Sequence, residues 1–250
     1  MALQEEFESQ GNFLFRYRSN LPLIIVLVGL SVFIFDNIYS NTQTYIPYSY
    51  VEYFSLLVSF LGLGIRIYTV AFTPANTSGR NTKKGQLADE LNTSGIYSMV
   101  RHPLYLGNFF MWLGAAILTN NLWFVVSFIF AYWVYYERIM YAEEQFLSRK
   151  FGNKYTDWAS KTPAFIPSRS KFIQPKYPFS LKKVVKKEKN GLLAIFVLLF
   201  IFHNIAFSIE KMQIGIDNNW ISWGTLFTGV LYLILKIVKH KTNLLNEKGR

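Results

Sequence analysis

Six apolar blocks, each close to the length of a membrane crossing, govern what this chain can become. They are Leu21–Tyr39, Val51–Phe72, Pro103–Thr119, Leu122–Met140, Leu192–Ile209 and Trp220–Val238. A helix needs about 20 mainly apolar residues to cross a hydrocarbon core. Lipid offers the backbone no hydrogen-bonding partner, so each block must be a helix or a strand of a closed barrel. The blocks lack the two-residue alternation of barrel strands, which leaves helices. The expected fold class is therefore all-α: a polytopic membrane helical bundle of about six transmembrane helices.

The charged residues agree. They make up 16% of the chain, against about 25% in an ordinary soluble domain, and they fall between the blocks. The net charge of +11 is distributed in loops rather than along one stripe, which argues for membrane orientation and against nucleic-acid binding. The Asn41–Tyr50 loop and the Asn120-Asn121 turn have no Lys or Arg, and Glu210–Asn219 has only Lys211. Arg80, Lys83, Lys84 and Arg101 lie between the second and third blocks, Arg138–Lys189 is richer still, and the tail carries Lys239, Lys241, Lys248 and Arg250. Basic and neutral loops alternate, which predicts a multi-pass protein with both termini and its chemical motifs in the cytoplasm. The sequence has no cysteine, so disulfides, thiolate metal sites and cysteine nucleophiles are excluded. Glu5, Glu6 and Glu8 with no basic residue in Met1–Gln10 make a poor secretory signal, so the first block is expected to be a retained span.

The chain divides into an N-terminal region with the first span (1–60), a core (61–168), a polybasic linker (169–190) and a C-terminal two-span hairpin (191–250). Lys182, Lys183, Lys186 and Lys187 fall on one side of a possible helix and read as a juxtamembrane stop signal. His203 reads as a helix-to-helix hydrogen bond, and Glu210, Lys211 and Asp217 as solvated loop residues. Trp123, Tyr132, Trp220 and Trp223 read as interface anchors.

Two stretches carry chemistry. In the first, Gly95-Ile96-Tyr97-Ser98-Met99-Val100-Arg101-His102-Pro103-Leu104-Tyr105-Leu106-Gly107, Pro103 suits a first helical turn. Arg101 and His102 then stand at the positive mouth of that helix, where an anionic group is welcome. The second runs from Glu137-Arg138 through Glu143-Glu144, Leu147, Phe151-Gly152, Tyr155 and Trp158 to Pro163-Ala164-Phe165-Ile166-Pro167. Glu143 and Glu144 could hold a ribose hydroxyl pair or an ammonium group, and Phe151-Gly152 reads as a helix stop. The two-residue Asn120-Asn121 turn makes the third and fourth spans antiparallel neighbours, which brings His102 and Glu137–Glu144 to the same side.

The pattern Gly-x-Tyr-x-x-x-Arg-His-Pro-x-Tyr-x-Gly, followed by Glu-Glu-x-x-Leu-x-x-x-Phe-Gly-x-x-Tyr and Pro-x-Phe-Ile-Pro, resembles the isoprenylcysteine carboxyl methyltransferase and phospholipid methyltransferase group. The resemblance spans roughly Gly62–Pro167, with Trp158 where members of the group often have Tyr. It implies a membrane enzyme that uses S-adenosylmethionine without a Rossmann domain. By that resemblance Tyr97, His102, Pro103, Leu104, Tyr105 and Gly107 would line the cofactor, and Glu143 and Glu144 would complete its site. Arg101, His102 and Glu143 are the catalytic candidates, and Arg66 and Arg138 are candidates for the substrate's polar head. The implied partners are the bilayer and a lipid or other hydrophobic small-molecule acceptor, as a carboxylate or an amine; no metal is implied. Two alternatives remain. Membrane sterol-type reductases that use NADPH share an Arg-His-x-x-Tyr stretch but usually have Asn where Leu104 stands. The other is a non-enzymatic lipid-binding protein that relies on the Lys182–Lys189 cluster.

Overall fold

The computed structural model describes residues 2–18, 20–39, 47–74, 80–82, 85–168, 172–247 and 249. Lys83, Lys84, Lys248, Arg250 and much of the loop that follows the first block lie outside them, as do the side chains of the strand residues, Arg80 included. Eight helices account for most of the described chain: α1 (Leu3–Tyr17), α2 (Leu21–Tyr39), α3 (Tyr48–Ala71), α4 (Pro103–Ile117), α5 (Leu122–Phe151), α6 (Asn153–Ala159), α7 (Leu181–Lys211) and α8 (Trp220–Lys241). The only strands among the described residues are a short antiparallel pair, β1 (Arg80–Thr82) and β2 (Gly85–Leu87).

Every apolar block is helical, as expected of an all-α membrane bundle. Among the described residues, α2, α3, α7 and α8 are long and apolar enough to cross a membrane. The fifteen residues of α4 rise about 22 Å, short of a hydrocarbon core of about 30 Å. The thirty residues of α5 are long enough but mix aromatic and charged side chains.

Packing of α3 on α4 fixes the centre of the bundle. A Cβ on Gly62 would lie 2.4 Å from the Gly107 carbonyl oxygen, and one on Gly114 would lie 2.0 Å from Ser59 Oγ. Small residues let the two backbones touch, and Ser55 Oγ then donates across the seam to the Gly114 carbonyl at 2.7 Å. The asparagine turn behaves as the spacing requires. Asn120 adopts φ 52°, and Asn121 Oδ1 accepts from Phe124 N at 2.8 Å, capping α5. Asn121 Nδ2 also donates to Asp36 Oδ2 at 2.6 Å, which ties the turn to α2.

Three readings of individual residues are revised. Tyr132 is not an interface anchor: it is 2% exposed, and its hydroxyl donates to the Tyr105 carbonyl at 2.7 Å. Asp217 is not a solvated loop residue, because its Oδ2 lies 3.0 Å from His203 Nε2 while Glu52 Oε1 lies 2.7 Å from His203 Nδ1. His203 thus joins α7 to both α3 and the α7–α8 loop. The lysine run is not one solvated face either. Lys183 is buried, and its ammonium donates to Thr73 Oγ1 at 3.0 Å and the Pro74 carbonyl at 2.9 Å. A cation there closes the carbonyl end of α3.

The N-terminal helix α1 is an element with no counterpart in the hydrophobic-block reading. It lies against α5, with Gly11 so close that a Cβ would meet the Arg138 carbonyl oxygen at 2.1 Å. Phe15 is buried in the aromatic core formed with Tyr105, Phe128, Tyr132 and Tyr136.

Candidate functional site

At the loop-rich end lies a cavity of about 260 Å³, lined from α1, α3, α4, α5, α6, α7 and the 88–101 segment. It forms because two backbone strips are laced together. Arg101 N donates to the Pro163 carbonyl at 2.9 Å, His102 N to the Ala164 carbonyl at 3.2 Å, and Ser168 N to the Met99 carbonyl at 2.9 Å. The Pro-x-Phe-Ile-Pro strip is therefore the partner that satisfies the amides in front of α4. Trp158 Nε1 donates to the Tyr97 carbonyl at 3.1 Å and holds the 3₁₀ turn Ile96–Ser98 on α6. The departure from Tyr at this position supplies that bond.

Pro103 occupies the first turn of α4 and leaves His102 as its N-cap. The imidazole, 6% exposed, is held by two carboxylates from α5. Its Nε2 lies 2.8 Å from Glu144 Oε1, and its Nδ1 lies 3.7 Å from Glu143 Oε2. An ionised carboxylate only accepts, so Nε2 carries the proton and Nδ1 is the nitrogen with a lone pair to offer. Glu143 Oε2 also accepts from the Tyr105 hydroxyl at 2.7 Å. Burial alone would raise the Glu144 pKa, but the hydrogen bond from His102 and the charge of Arg101 hold it below the usual carboxylate range. Tyr97 is driven upward, first by burial and then by the Glu143 charge, so its phenol stays protonated.

Arg66 forms the deeper wall. Its Nε and Nη2 grip Glu188 at 2.7 and 2.9 Å, and Nη1 donates to Asn108 Oδ1 at 2.6 Å. Arg101 Nε lies 3.3 Å from Glu144 Oε1 without the alignment of a hydrogen bond. Among the described residues, three buried side-chain polar atoms have no hydrogen-bond partner: Asn92 Nδ2, Arg101 Nε and the Tyr155 hydroxyl. All three residues line this cavity. Arg101 and Tyr155 still meet the Glu144 carboxylate, whereas Asn92 Nδ2 has no partner at all; buried polar groups are ordinarily paired, so this wall suits a polar ligand.

Of the residues singled out from the sequence, Arg66, Tyr97, Arg101, His102, Pro103, Leu104, Tyr105 and Glu143 line the cavity. Glu144 stands behind His102. Gly107 does not face the cavity; a Cβ there would strike Arg66 Cγ at 2.5 Å, so its role is the α3–α4 contact. Arg138 is also elsewhere, stacked 3.4 Å over the Phe7 ring of α1 and paired with Glu137. Phe15, Arg18, Asn92, Asn108, Lys187 and Glu188 line the cavity without having been singled out. Phe7, Gly11 and Phe15 repeat every four residues, and that stripe was the legible signal for α1.

Residues 52–154 match the family described as phospholipid methyltransferase. Over that segment the chain is similar to that family. The matched segment runs from α3 into α6 and holds His102, Glu143 and Glu144. With four helices among the described residues long and apolar enough to cross a membrane, the protein is an integral membrane protein. Over 125 residues it is 32% identical to a protein-S-isoprenylcysteine O-methyltransferase of Schizosaccharomyces pombe, covering 49% of this chain and 52% of that one. Over 88 residues it is 38% identical to the nickel-cobalt-cadmium resistance protein NccN of Alcaligenes xylosoxydans xylosoxydans, covering 35% and 41%. Similarity to the cobalt-zinc-cadmium resistance protein CzcN of Cupriavidus metallidurans is 29% identity over 64% of this chain and 68% of that one. The chain thus spans about half the length of the first two relatives. No solved structure matches. Among the described residues, no group of three or more His, Asp or Glu side chains is arranged to hold a metal ion.

Proposed function

We propose that the protein is an S-adenosylmethionine-dependent methyltransferase acting on a hydrophobic acceptor, with the 260 Å³ cavity as its donor site. The observation that carries this is the gathering of Asn92 Nδ2, which is buried without a hydrogen-bond partner, with Arg101 and Tyr155, both facing the Glu144 carboxylate, on the wall that also presents His102 and Glu143. That donor set fits a zwitterionic, polyhydroxylated ligand: the cationic Arg101 suits a carboxylate, and Glu143 suits an ammonium or a ribose hydroxyl pair. S-adenosylmethionine supplies a methyl group on a sulfonium, ready for in-line displacement.

The protein's task is then alignment in a dry site. His102 is fixed in orientation by Glu144, and Tyr105 by Glu143. A carboxylate acceptor reacts without losing a proton. An amine acceptor must lose one, and His102 Nδ1 is placed to receive it with Glu143 Oε2 at 3.7 Å to stabilise the resulting charge. The alternation of basic and neutral loops supports a cytoplasmic location for this end of the bundle and both termini. The names of the methyltransferase relatives favour this reading over an NADPH-dependent sterol-type reductase.

Membranes containing the protein, incubated with S-adenosylmethionine labelled in its methyl group, should transfer label to an organic-extractable lipid. Mild alkali then separates the chemistries, since a methyl ester releases methanol and an N-methyl amine does not. Absence of protein-dependent label in the lipid fraction would refute the proposal.

A further inference from the structure

Helices α7 and α8, both beyond the segment similar to the phospholipid methyltransferase family, bring cations together at the donor-cavity end of the bundle. Lys189 of α7 is buried, and the charges of Lys239 on α8 and of Lys186 and Lys187 on its own helix all act on it. Among the described residues, Lys186, Lys189 and Lys239 form no ion pair. The acids on the same stretches are committed elsewhere. Glu188 is gripped by Arg66 at 2.7 and 2.9 Å, and Glu247 accepts from the Ser180 hydroxyl. Buried charges are ordinarily paired, and like charges at close quarters repel. This corner therefore calls for an anion from outside these helices.

The lysines are able to hold one. An ammonium carries three donors. Lys189 gives one to the Lys186 carbonyl at 2.9 Å, and Lys186 gives one to Asn246 Oδ1 at 2.8 Å. Both keep donors for a phosphate oxygen.

The surroundings select the anion. Next to the cations, α3, α7 and α8 enclose an aliphatic furrow of about 150 Å³, with Leu63, Leu192, Leu231 and Leu235 in its walls and Lys189 at its edge. Tyr232, also on the wall, has Lys236 Nζ 5.8 Å from its ring, a pairing suited to the level of lipid headgroups. An apolar surface topped by lysines fits a phospholipid, with its phosphate among the cations and an acyl chain against the furrow. Glu188 lines both this furrow and the donor cavity, and its pair with Arg66 closes one off from the other. A lipid bound here does not reach His102, so it is not the methyl acceptor.

We propose that Lys186, Lys189 and Lys239 form a headgroup site for an anionic phospholipid, held as a resident partner of α7 and α8. The site is separate from the methyl-transfer reading and stands whatever the donor cavity binds.

The test is a thermal melt of the full chain in dodecyl maltoside, titrated with dioctanoyl-phosphatidylglycerol, dioctanoyl-phosphatidylcholine or inorganic phosphate. A ligand that binds the folded state raises its melting temperature. The two lipids share their tails, so a difference between them reads the headgroup. Phosphatidylglycerol should half-saturate the shift at a concentration at least fivefold below phosphatidylcholine, and phosphate alone should give no shift. Lys186→Gln/Lys239→Gln should remove that advantage. Lys154→Gln/Lys161→Gln, which takes the same charge from exposed positions in and after α6, should keep it. If the first double variant fails to purify as a folded protein, Lys239→Gln alone, at an exposed position, should cut the advantage at least twofold. Equal response to the two lipids overturns the proposal. So does an advantage that survives loss of Lys186 and Lys239, one that disappears in the α6 control, or a shift from phosphate alone at the same concentration.

Discussion

His102 Nε2 lies 2.8 Å from Glu144 Oε1, so the N-cap of α4 is held by a carboxylate one helix away on α5. The bond sets the imidazole tautomer and aims Nδ1 toward Glu143. If the site is catalytic, His102→Ala should lower kcat/KM by about 100-fold or more, the range of a positioned acid–base group. Glu144→Gln keeps an acceptor but loses the charge and should cost roughly tenfold through misplacement of the ring. Single-turnover methyl transfer measures both; equal losses for the two variants would contradict the separation of roles.

The same carboxylate gives a pH dependence with a definite sign. The folded-state pKa of Glu144 is lowered from 4.5, so the unfolded chain binds more protons as acid is added. Its contribution to stability is complete above about pH 4.5 and is lost as pH falls through the lowered value. Thermal melts from pH 7 to 3 should therefore fall more steeply for the wild type than for Glu144→Gln in the acid limb. Parallel curves would show that the pair adds nothing to folding.

Gly107 is explained by packing rather than by ligand contact. Gly107→Ala should destabilise the bundle by about 1–3 kcal/mol, the range for overpacking, because the new Cβ meets Arg66 Cγ at 2.5 Å. Gly64→Ala, with open space around its Cβ position, is the control and should be neutral or mildly stabilising. Melting in detergent compares the two, and equal behaviour would deny the close α3–α4 contact.

Lys183 acts through the carbonyl end of α3. Lys183→Met preserves length and apolar stem but strands the Thr73 and Pro74 acceptors, which should cost about 1–3 kcal/mol. Lys182→Met, at an exposed position, should cost almost nothing. Denaturant unfolding of both variants decides between a capping role and a general basic patch.

The helices and the His102–Glu143 meeting were legible because length, apolarity and a two-residue turn leave the chain little choice. The asparagines fix the antiparallel pair, and Pro103 fixes where α4 starts. What escaped was information carried by partners distant in sequence. Glu188 looks like one acid among lysines until α7 presents it to Arg66, 122 residues earlier. Asp217 looks solvated until the α7–α8 loop folds back on His203. Tyr132 has the residue type of a membrane-interface anchor, and only the α4–α5 packing reveals its carbonyl partner. Arg138 misled in the opposite direction, because its charge suggested a ligand while α1 was waiting to cover it.

Isothermal titration of the purified chain in nanodiscs with S-adenosylmethionine tests the central claim most directly. The account predicts saturable binding at one site, weakened at least tenfold by Asn92→Ala and by Tyr155→Phe, two residues that line the cavity. Absence of binding, or binding that neither substitution weakens, would contradict it.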